Sequence, residues 1–262
     1  MTKNLFTISI LFSLMLLISC GPQAKKDGEE QTKETTEMKA EPNTLTQSEI
    51  DDGWVLLFDG ETTDGWRGYN LDSFPGKGWE ILDGSLHVMG SGKGEAGDGG
   101  DIIYDKKFDN FELALEWKVS EGGNSGIFYL AKEIPGTPIW KSAPEMQILD
   151  NEKHVDAKLG KDGNHQAGSL YDLIPAVPQN AKPAGEWNKV KILVYKGTVV
   201  HYMNGEAVLE YHLWTNDWKN MVADSKFADR EEFVNTAEEG YIGLQDHGDD
   251  VWFRNIKVKE LE

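Results

Sequence analysis

Cysteine is almost absent from this chain. Cys20 is the only one among 262 residues, so a domain that follows it can form no internal disulfide and offers no thiol for catalysis. Clusters of lysine and arginine are also missing, and the formal net charge is -19 at pH 7. Because that charge repels polyanions, we expect no nucleic-acid partner and favour a neutral small molecule or glycan.

The chain also has no apolar run long enough for a comfortable bilayer span. Residues 5–18 are apolar, follow a basic Lys3 and end at Leu17-Ile18-Ser19-Cys20. That ending resembles the lipobox of bacterial lipoproteins, which implies cleavage before Cys20 and acylation of its thiol. Residues 1–20 are therefore expected to be a lipoprotein signal peptide. Since Gly21-Pro22 lacks a retention aspartate, we expect a lipid-anchored lipoprotein of the outer membrane that faces the periplasm.

Large apolar side chains are scarce in residues 21–50, which are rich in Glu, Lys, Thr, Gln and Pro. Such a segment buries too little surface to offset its ordering entropy, so a flexible tether is predicted. Residues 51–262 suffice for one hydrophobic core, and we expect a single domain there.

Alternation with a period of two dominates this domain. Apolar residues alternate with charged ones across residues 111–119, which is typical of a half-buried strand. Asn204-Gly205 between two further strands predicts a hairpin with a type I′ turn. Helical pattern is confined to residues 215–227, where we expect at best a surface insertion. The sequence therefore predicts an all-β sandwich of two antiparallel sheets.

Two strand segments carry polar side chains on one face. In one, Glu145 and Gln147 share the face opposite two apolar neighbours. In the other, Gln245 and His247 share the face opposite two apolar residues. Because desolvating such groups is costly unless they are paired or in use, we expect both pairs to line one cleft.

Glu145 and Asp150 form a carboxylate pair of the kind that acid–base work on a glycosidic bond requires. The spacing resembles the Glu-x-Asp-x-x-Glu strand of retaining β-glucanases, with Gln147 in place of the central aspartate. The alternative reading of Asp150 is a strand-end acid that caps a turn.

His165 and His247 each lie beside glutamine and glycine, and a histidine is the natural proton shuttle near neutral pH. Trp140 and Tyr171 stand next to the polar segments and are the aromatic residues expected in the cleft. We expect no cofactor. A divalent metal is the alternative, held by His154, Asp156, Asp162 and His165, although no recognised ligand spacing is present.

From residue 53 to residue 256 the chain resembles the bacterial 3-keto-disaccharide hydrolase domain family. The resemblance implies a concanavalin A-like jelly roll that acts on a small saccharide oxidised at C3. The segments that carry it are Leu57-Phe58-Asp59-Gly60, Asp64-Gly65-Trp66, Gly123-Asn124-Ser125-Gly126, Pro144-Glu145-Met146-Gln147, residues 163–171, Glu186-Trp187-Asn188 and Gly243-Leu244-Gln245-Asp246-His247.

The resemblance implies an unusual route to hydrolysis. A ketone at C3 acidifies the proton at C2, so a base can remove it, the C1 substituent can leave, and water then adds. We hypothesise that His165 or Glu145 is the base and that His247 or Asp150 is the acid. The expected hydrogen-bond donors to the developing enolate are Gln147, Gln245 and Arg254. Two other hypotheses stay open: a retaining glycosidase that uses Glu145 and Asp150, and a glycan-binding lipoprotein without catalysis.

Overall fold

The computed structural model describes residues 41–93 and 97–262. They form a sandwich of two sheets in which every strand pairing is antiparallel. The predicted all-β jelly roll is confirmed. The strands are β1 Trp54–Leu56, β2 Trp66–Gly68, β3 Trp79–Leu82, β4 Ser85–Val88, β5 Ile102–Phe108, β6 Phe111–Val119, β7 Asn124–Ala131, β8 Glu145–Leu149, β9 Asn188–Tyr195, β10 Thr198–Met203, β11 Glu206–His212, β12 Gly240–Leu244 and β13 Val251–Glu260.

The larger sheet has eight strands in the order β11-β10-β9-β6-β13-β4-β3, with β1 also paired to β13. The predicted alternation of β6 is confirmed, since Phe111, Leu113 and Leu115 are buried in the core while Glu112 lies on the outer face. Burying side chains of this size contributes roughly 1.5–3 kcal/mol each. Asn204 and Gly205 both have positive φ, 50° and 92°, as the predicted type I′ hairpin between β10 and β11 requires.

The smaller sheet has five strands in the order β2-β5-β12-β7-β8. Strands β7 and β8 are buried along their whole length, so their outer face is also covered by protein. This covering makes polar residues on that face nearly inaccessible, and it turns an ordinary sheet surface into an enclosed site.

Short helices cover parts of the sandwich. The helix predicted near residues 215–227 is confirmed as α2 Asn216–Ala223, a surface helix of which Trp218 and Val222 are buried. Trp218 is 1% exposed and stacks between Tyr211 and Phe233 at centroid distances of 5.5 and 5.7 Å. No helix in the described part of the chain is long and apolar enough to cross a membrane. The helices are α1 Gln47–Asp51, α2 Asn216–Ala223, α3 Glu231–Val234 and the 3-10 turns Ile139–Lys141 and Val155–Lys158.

The end of the predicted tether belongs to the domain. Asn43 and Asn255 exchange two hydrogen bonds of 2.6 and 2.8 Å between backbone N–H groups and side-chain oxygens, and Glu49 pairs with Lys257. These polar contacts offset the ordering entropy of residues 41–50. Residues 41–50, the end of the tether predicted for residues 21–50, are therefore part of the folded domain. The predicted signal peptide, Cys20 and the rest of the tether lie outside the described residues.

Candidate active site

A polar cleft lies on the outer face of the smaller sheet, where β7, β8 and the end of β12 meet. Its accessible volume is about 20 Å³, room for about one water molecule, because side chains at the mouth close it. Six of the nine residues predicted for catalysis or substrate binding line this cleft. The lining residues are Asn124, Trp140, Glu145, Gln147, Tyr171, Lys226, Gln245 and His247.

Glu145 and Gln147 reach the cleft through the pleat of β8. Met146 and Ile148 alternate with them and belong to the hydrophobic core, as the predicted face assignment requires. Glu145 is 6% exposed. The opposite strand leaves room for its carboxylate only because residue 126 is glycine, where a Cβ atom would lie 2.1 Å from Oε1 of Glu145.

Gln245 and His247 lie just after β12 and face the same cleft. The backbone N–H of Gln245 donates to the carbonyl oxygen of Gly126 at 3.0 Å, and Ser125 Oγ donates to the Gln245 carbonyl at 2.7 Å. The intervening Asp246 points elsewhere and accepts hydrogen bonds from backbone N–H groups of residues 99, 100 and 248. Burial raises the pKa of Asp246.

His247 is oriented by Asn124, a residue that sequence reasoning missed. The side-chain amide Nδ2 of Asn124 lies 3.3 Å from His247 Nε2. The backbone N–H of Asn124 donates to Asp249 Oδ2 at 3.0 Å, and the same oxygen lies 4.0 Å from His247 Nδ1. The imidazole therefore sits between an amide and a carboxylate, an arrangement that favours one orientation of the ring.

Aromatic rings and one lysine form the mouth of the cleft. The ammonium of Lys226 lies 4.0 Å from the ring centroid of Tyr171 and 5.5 Å from that of Trp140. Burial, followed by the neighbouring carboxylates, raises the pKa of Tyr171, so its hydroxyl stays protonated. Sequence reasoning missed Lys226 because no local pattern shows that the loop after α2 folds across the mouth.

His165 does not line the cleft but lies behind it, where it contacts two carboxylates. Its Nδ1 lies 2.9 Å from Asp156 and its Nε2 lies 2.8 Å from Asp172. Burial alone would lower the pKa of His165, but the hydrogen bonds to both carboxylates raise it above its usual value. With both ring nitrogens engaged as donors, the imidazolium has no lone pair with which to accept a proton.

The same carboxylates connect His165 to the mouth of the cleft. Asp156 accepts a hydrogen bond of 3.0 Å from the hydroxyl of Tyr171, and Asp172 accepts one of 2.8 Å from the backbone N–H of Lys226. His165 is thus a hub that holds two mouth residues, and the structure does not place it where a base would act.

Asp150 and Arg254 are the other predicted site residues that the structure places elsewhere. Asp150 is 5% exposed and accepts backbone N–H bonds from Gly122 at 2.7 Å and Glu152 at 3.0 Å. It caps turns, which is the alternative reading of this residue. Arg254 lies on the larger sheet, pairs with Glu116 at 2.8 Å and stacks on Trp187. Neither residue lines the cleft.

One group of three potential metal ligands occurs in the described part of the chain, and it differs from the group expected from the sequence. His154, His247 and Asp249 bring their ligand atoms within 4.8 Å of one another. However, Nδ1 of His154 accepts the backbone N–H of Asp156 at 3.1 Å. The neutral ring then carries its proton on Nε2 and has no lone pair left for a metal. The group does not fit a three-ligand site in this arrangement.

A two-sheet antiparallel sandwich with a polar, aromatic-flanked cleft on one outer face is typical of carbohydrate-active jelly rolls. The chain belongs to the family described as the 3-keto-alpha-glucoside-1,2-lyase-like domain, whose model matches residues 53–259. This confirms the family resemblance seen in the sequence.

Individual relatives agree with that membership. The chain is 50% identical over 291 aligned residues to a 3-keto-disaccharide hydrolase of Bacteroides thetaiotaomicron, with 100% of both chains covered. A crystal structure of a candidate glycosyl hydrolase from Parabacteroides distasonis matches with a TM-score of 0.75 and 30% identity, covering 85% of this chain and 100% of the other. A second candidate glycosyl hydrolase from that organism matches with a TM-score of 0.62 and 27% identity, covering 79% and 99%.

Proposed function

We propose that this protein hydrolyses the glycosidic bond of 3-keto-glycosides. The observation that carries the proposal is the convergence of Glu145, His247 and two amides in one closed cleft. Family membership and the name of the Bacteroides thetaiotaomicron relative support the substrate class.

The first half of the proposed reaction is an elimination. The carboxylate of Glu145 takes the proton from C2, and the electron pair of that C–H bond forms an enolate with the C3 ketone. The enolate reforms the ketone, creates a C1–C2 double bond and expels the C1 oxygen, which takes a proton from the His247 imidazolium. The Lys226 ammonium and the Gln147 amide line the same cleft and supply positive charge and a donor to the enolate oxygen.

The second half restores the sugar. Water adds to C1 of the enone and gives up a proton to His247, while the protonated Glu145 returns a proton to C2. One water molecule is consumed, one glycosidic bond is broken, and both residues return to their starting states.

The decisive experiment compares a disaccharide with its 3-keto form. We expect cleavage of the 3-keto form alone, with incorporation of deuterium at C2 in heavy water. Cleavage of the plain disaccharide without exchange at C2 would contradict this proposal and favour direct displacement. The position of Asp150 in a turn argues against that second route, since a retaining glycosidase needs a second carboxyl in the cleft.

The proposed steps use only protein groups, and we propose that no metal is required. The hydrogen bond to His154 that removes its lone pair supports this view. Activity of chelator-treated protein should equal that of untreated protein, whereas loss of activity that Zn²⁺, Mn²⁺ or Co²⁺ restores would reverse the conclusion.

We also propose that the enzyme is a lipoprotein of the bacterial cell envelope, anchored to the outer membrane and facing the periplasm. The single cysteine at the end of a short apolar run supports this location. Wild-type protein should incorporate an alkyne-labelled fatty acid in cells and sediment with outer membranes. The variant Cys20→Ser should do neither.

A further inference from the structure

Two amide oxygens on the cleft wall have no hydrogen-bond partner. Oδ1 of Asn124 and Oε1 of Gln245 are two of the four buried side-chain polar atoms without a partner in the described part of the chain. Asn124 is 4% exposed and Gln245 is 7% exposed. A buried acceptor without a donor destabilises the folded protein, so each such atom calls for an explanation.

The open acceptor of Asn124 depends on the protonation state of His247. Its Nδ2 lies 3.3 Å from His247 Nε2, which suits a neutral imidazole that accepts at Nε2. The imidazolium of the proposed reaction carries a proton there, so the amide turns and bonds it through Oδ1. The backbone of Gln245 is fixed to Gly126 by a hydrogen bond of 3.0 Å, and its Oε1 has no partner.

Gln147 provides an internal comparison, because it lines the same cleft and carries the same side chain as Gln245. Its Oε1 accepts the backbone N–H of Ile148 at 3.1 Å. Buried amides in this cleft are therefore able to find partners, and the open acceptor of Gln245 distinguishes it from Gln147.

We infer that Gln245 Oε1 forms a hydroxyl-recognition subsite, in which this oxygen accepts a hydrogen bond from a hydroxyl of the sugar ring. The inference rests on the proposed function for its ligand. A C3 ketone has no proton to donate, so this oxygen selects a ring hydroxyl beside it, while the donors Lys226 and Gln147 serve the ketone. A site built to bond a hydroxyl strongly rejects an analogue that lacks it.

The subsite is reached only when the mouth opens. The accessible volume of about 20 Å³ holds no sugar ring. Lys226 is exposed, and its ammonium lies over the rings of Tyr171, Trp140 and Phe227. This flexible side chain is the one at the mouth that can move aside at least cost.

Matched glutamine variants test the open acceptor without any substrate. Gln245→Met removes an unpaired acceptor and should raise Tm by about 2–4 °C, whereas Gln147→Met removes a paired acceptor and should lower Tm by a similar amount. Calorimetric scans of both variants measure this. Equal falls in Tm for the two variants would contradict an open acceptor at position 245.

Calorimetric titration tests the ligand. The probes are methyl α-glucoside and its 2-, 4- and 6-deoxy derivatives, which the proposed reaction leaves uncleaved because they carry no C3 ketone. Wild-type protein should bind one of these deoxy compounds at least tenfold more weakly than its parent. Gln245→Met should bind that compound and its parent within twofold of each other, and Gln245→Glu, which keeps an acceptor, should restore the preference.

The outcomes separate this inference from the proposed function. Catalysis of 3-keto substrates with unchanged deoxy preferences in Gln245→Met would overturn the subsite and leave the activity intact. Loss of discrimination in Gln245→Met without any turnover by wild-type protein would support the subsite and refute the activity.

Discussion

The two outer faces of the sandwich differ in how their polar groups are satisfied. A groove on the larger sheet has an accessible volume of about 520 Å³, against about 20 Å³ for the cleft on the smaller sheet. Most charges in the groove are paired, since Glu116 binds Arg254 at 2.8 Å and Lys189 at 3.6 Å, and Glu49 binds Lys257. In the cleft, amide oxygens of two buried residues are left open.

The proposed site therefore differs from the groove by two unsatisfied acceptors and not by a larger volume. Paired surface charges stabilise a sheet face only modestly, and they need no ligand to satisfy them. Open acceptors beside a buried carboxylate reduce stability, and a ligand that supplies hydroxyl donors recovers that loss. Natural proteins retain destabilising polar groups of this kind where function requires them.

Replacing the cleft carboxylate should have the largest effect. Glu145→Gln keeps the shape but removes the base, so kcat/KM for a 3-keto disaccharide should fall by about 10²–10⁴. The matched control in the groove is Glu116→Gln, for which kcat/KM should stay within about threefold while stability falls. Comparable losses of activity in both variants would contradict our assignment of the site to the smaller sheet.

Filling the space beside Glu145 should have the next largest effect. In Gly126→Ala a methyl group would lie 2.1 Å from the present position of Oε1 of Glu145, so the carboxylate must shift. We expect kcat to fall by about 10²-fold through misplacement of the base. Gly136→Ala is a suitable control, because no atom lies within 4 Å of the Cβ position there, although its positive φ adds strain. Unchanged kcat in Gly126→Ala would argue against Glu145 as the base.

The His165 hub should produce a pH-dependent effect on stability. Because the pKa of His165 is raised in the folded protein, its contribution is fully present below the unfolded pKa of about 6.5 and is lost as pH rises through the folded pKa. His165→Gln should therefore lower Tm by roughly 4–8 °C at pH 6 and by much less at pH 9.

Thermal scans of wild-type protein, His165→Gln and the exposed control His212→Gln across this range measure the effect. A decrease in Tm for His165→Gln that is the same at every pH would show that His165 acts through packing rather than through its charge.

Breaking the ion pair in the groove should have the smallest effect on catalysis. Arg254→Met leaves Glu116 without its closest cation, and we expect a loss of about 1–3 kcal/mol in the free energy of unfolding. Activity should remain within about twofold, as urea unfolding and steady-state kinetics would show. A loss of kcat of tenfold or more would restore Arg254 as a donor to the substrate.

Local sequence pattern was enough to predict most of the fold. The alternation in residues 111–119 predicted β6 because one face of a strand must meet the core, and Asn204-Gly205 predicted its hairpin because both residues tolerate positive φ. The packing of Trp218 on α2 was not predictable, since its partners come from β11 and α3.

The sequence by itself determined that Glu145 and Gln147 share one face, and that Gln245 and His247 share another, because the side-chain period of a strand is two. Tertiary structure alone decided that these faces meet, that His165 is held between two carboxylates, and that Lys226 closes the mouth. Those outcomes depend on residues far apart in the chain, whose contacts form only when the sheets pack and the loops fold over them.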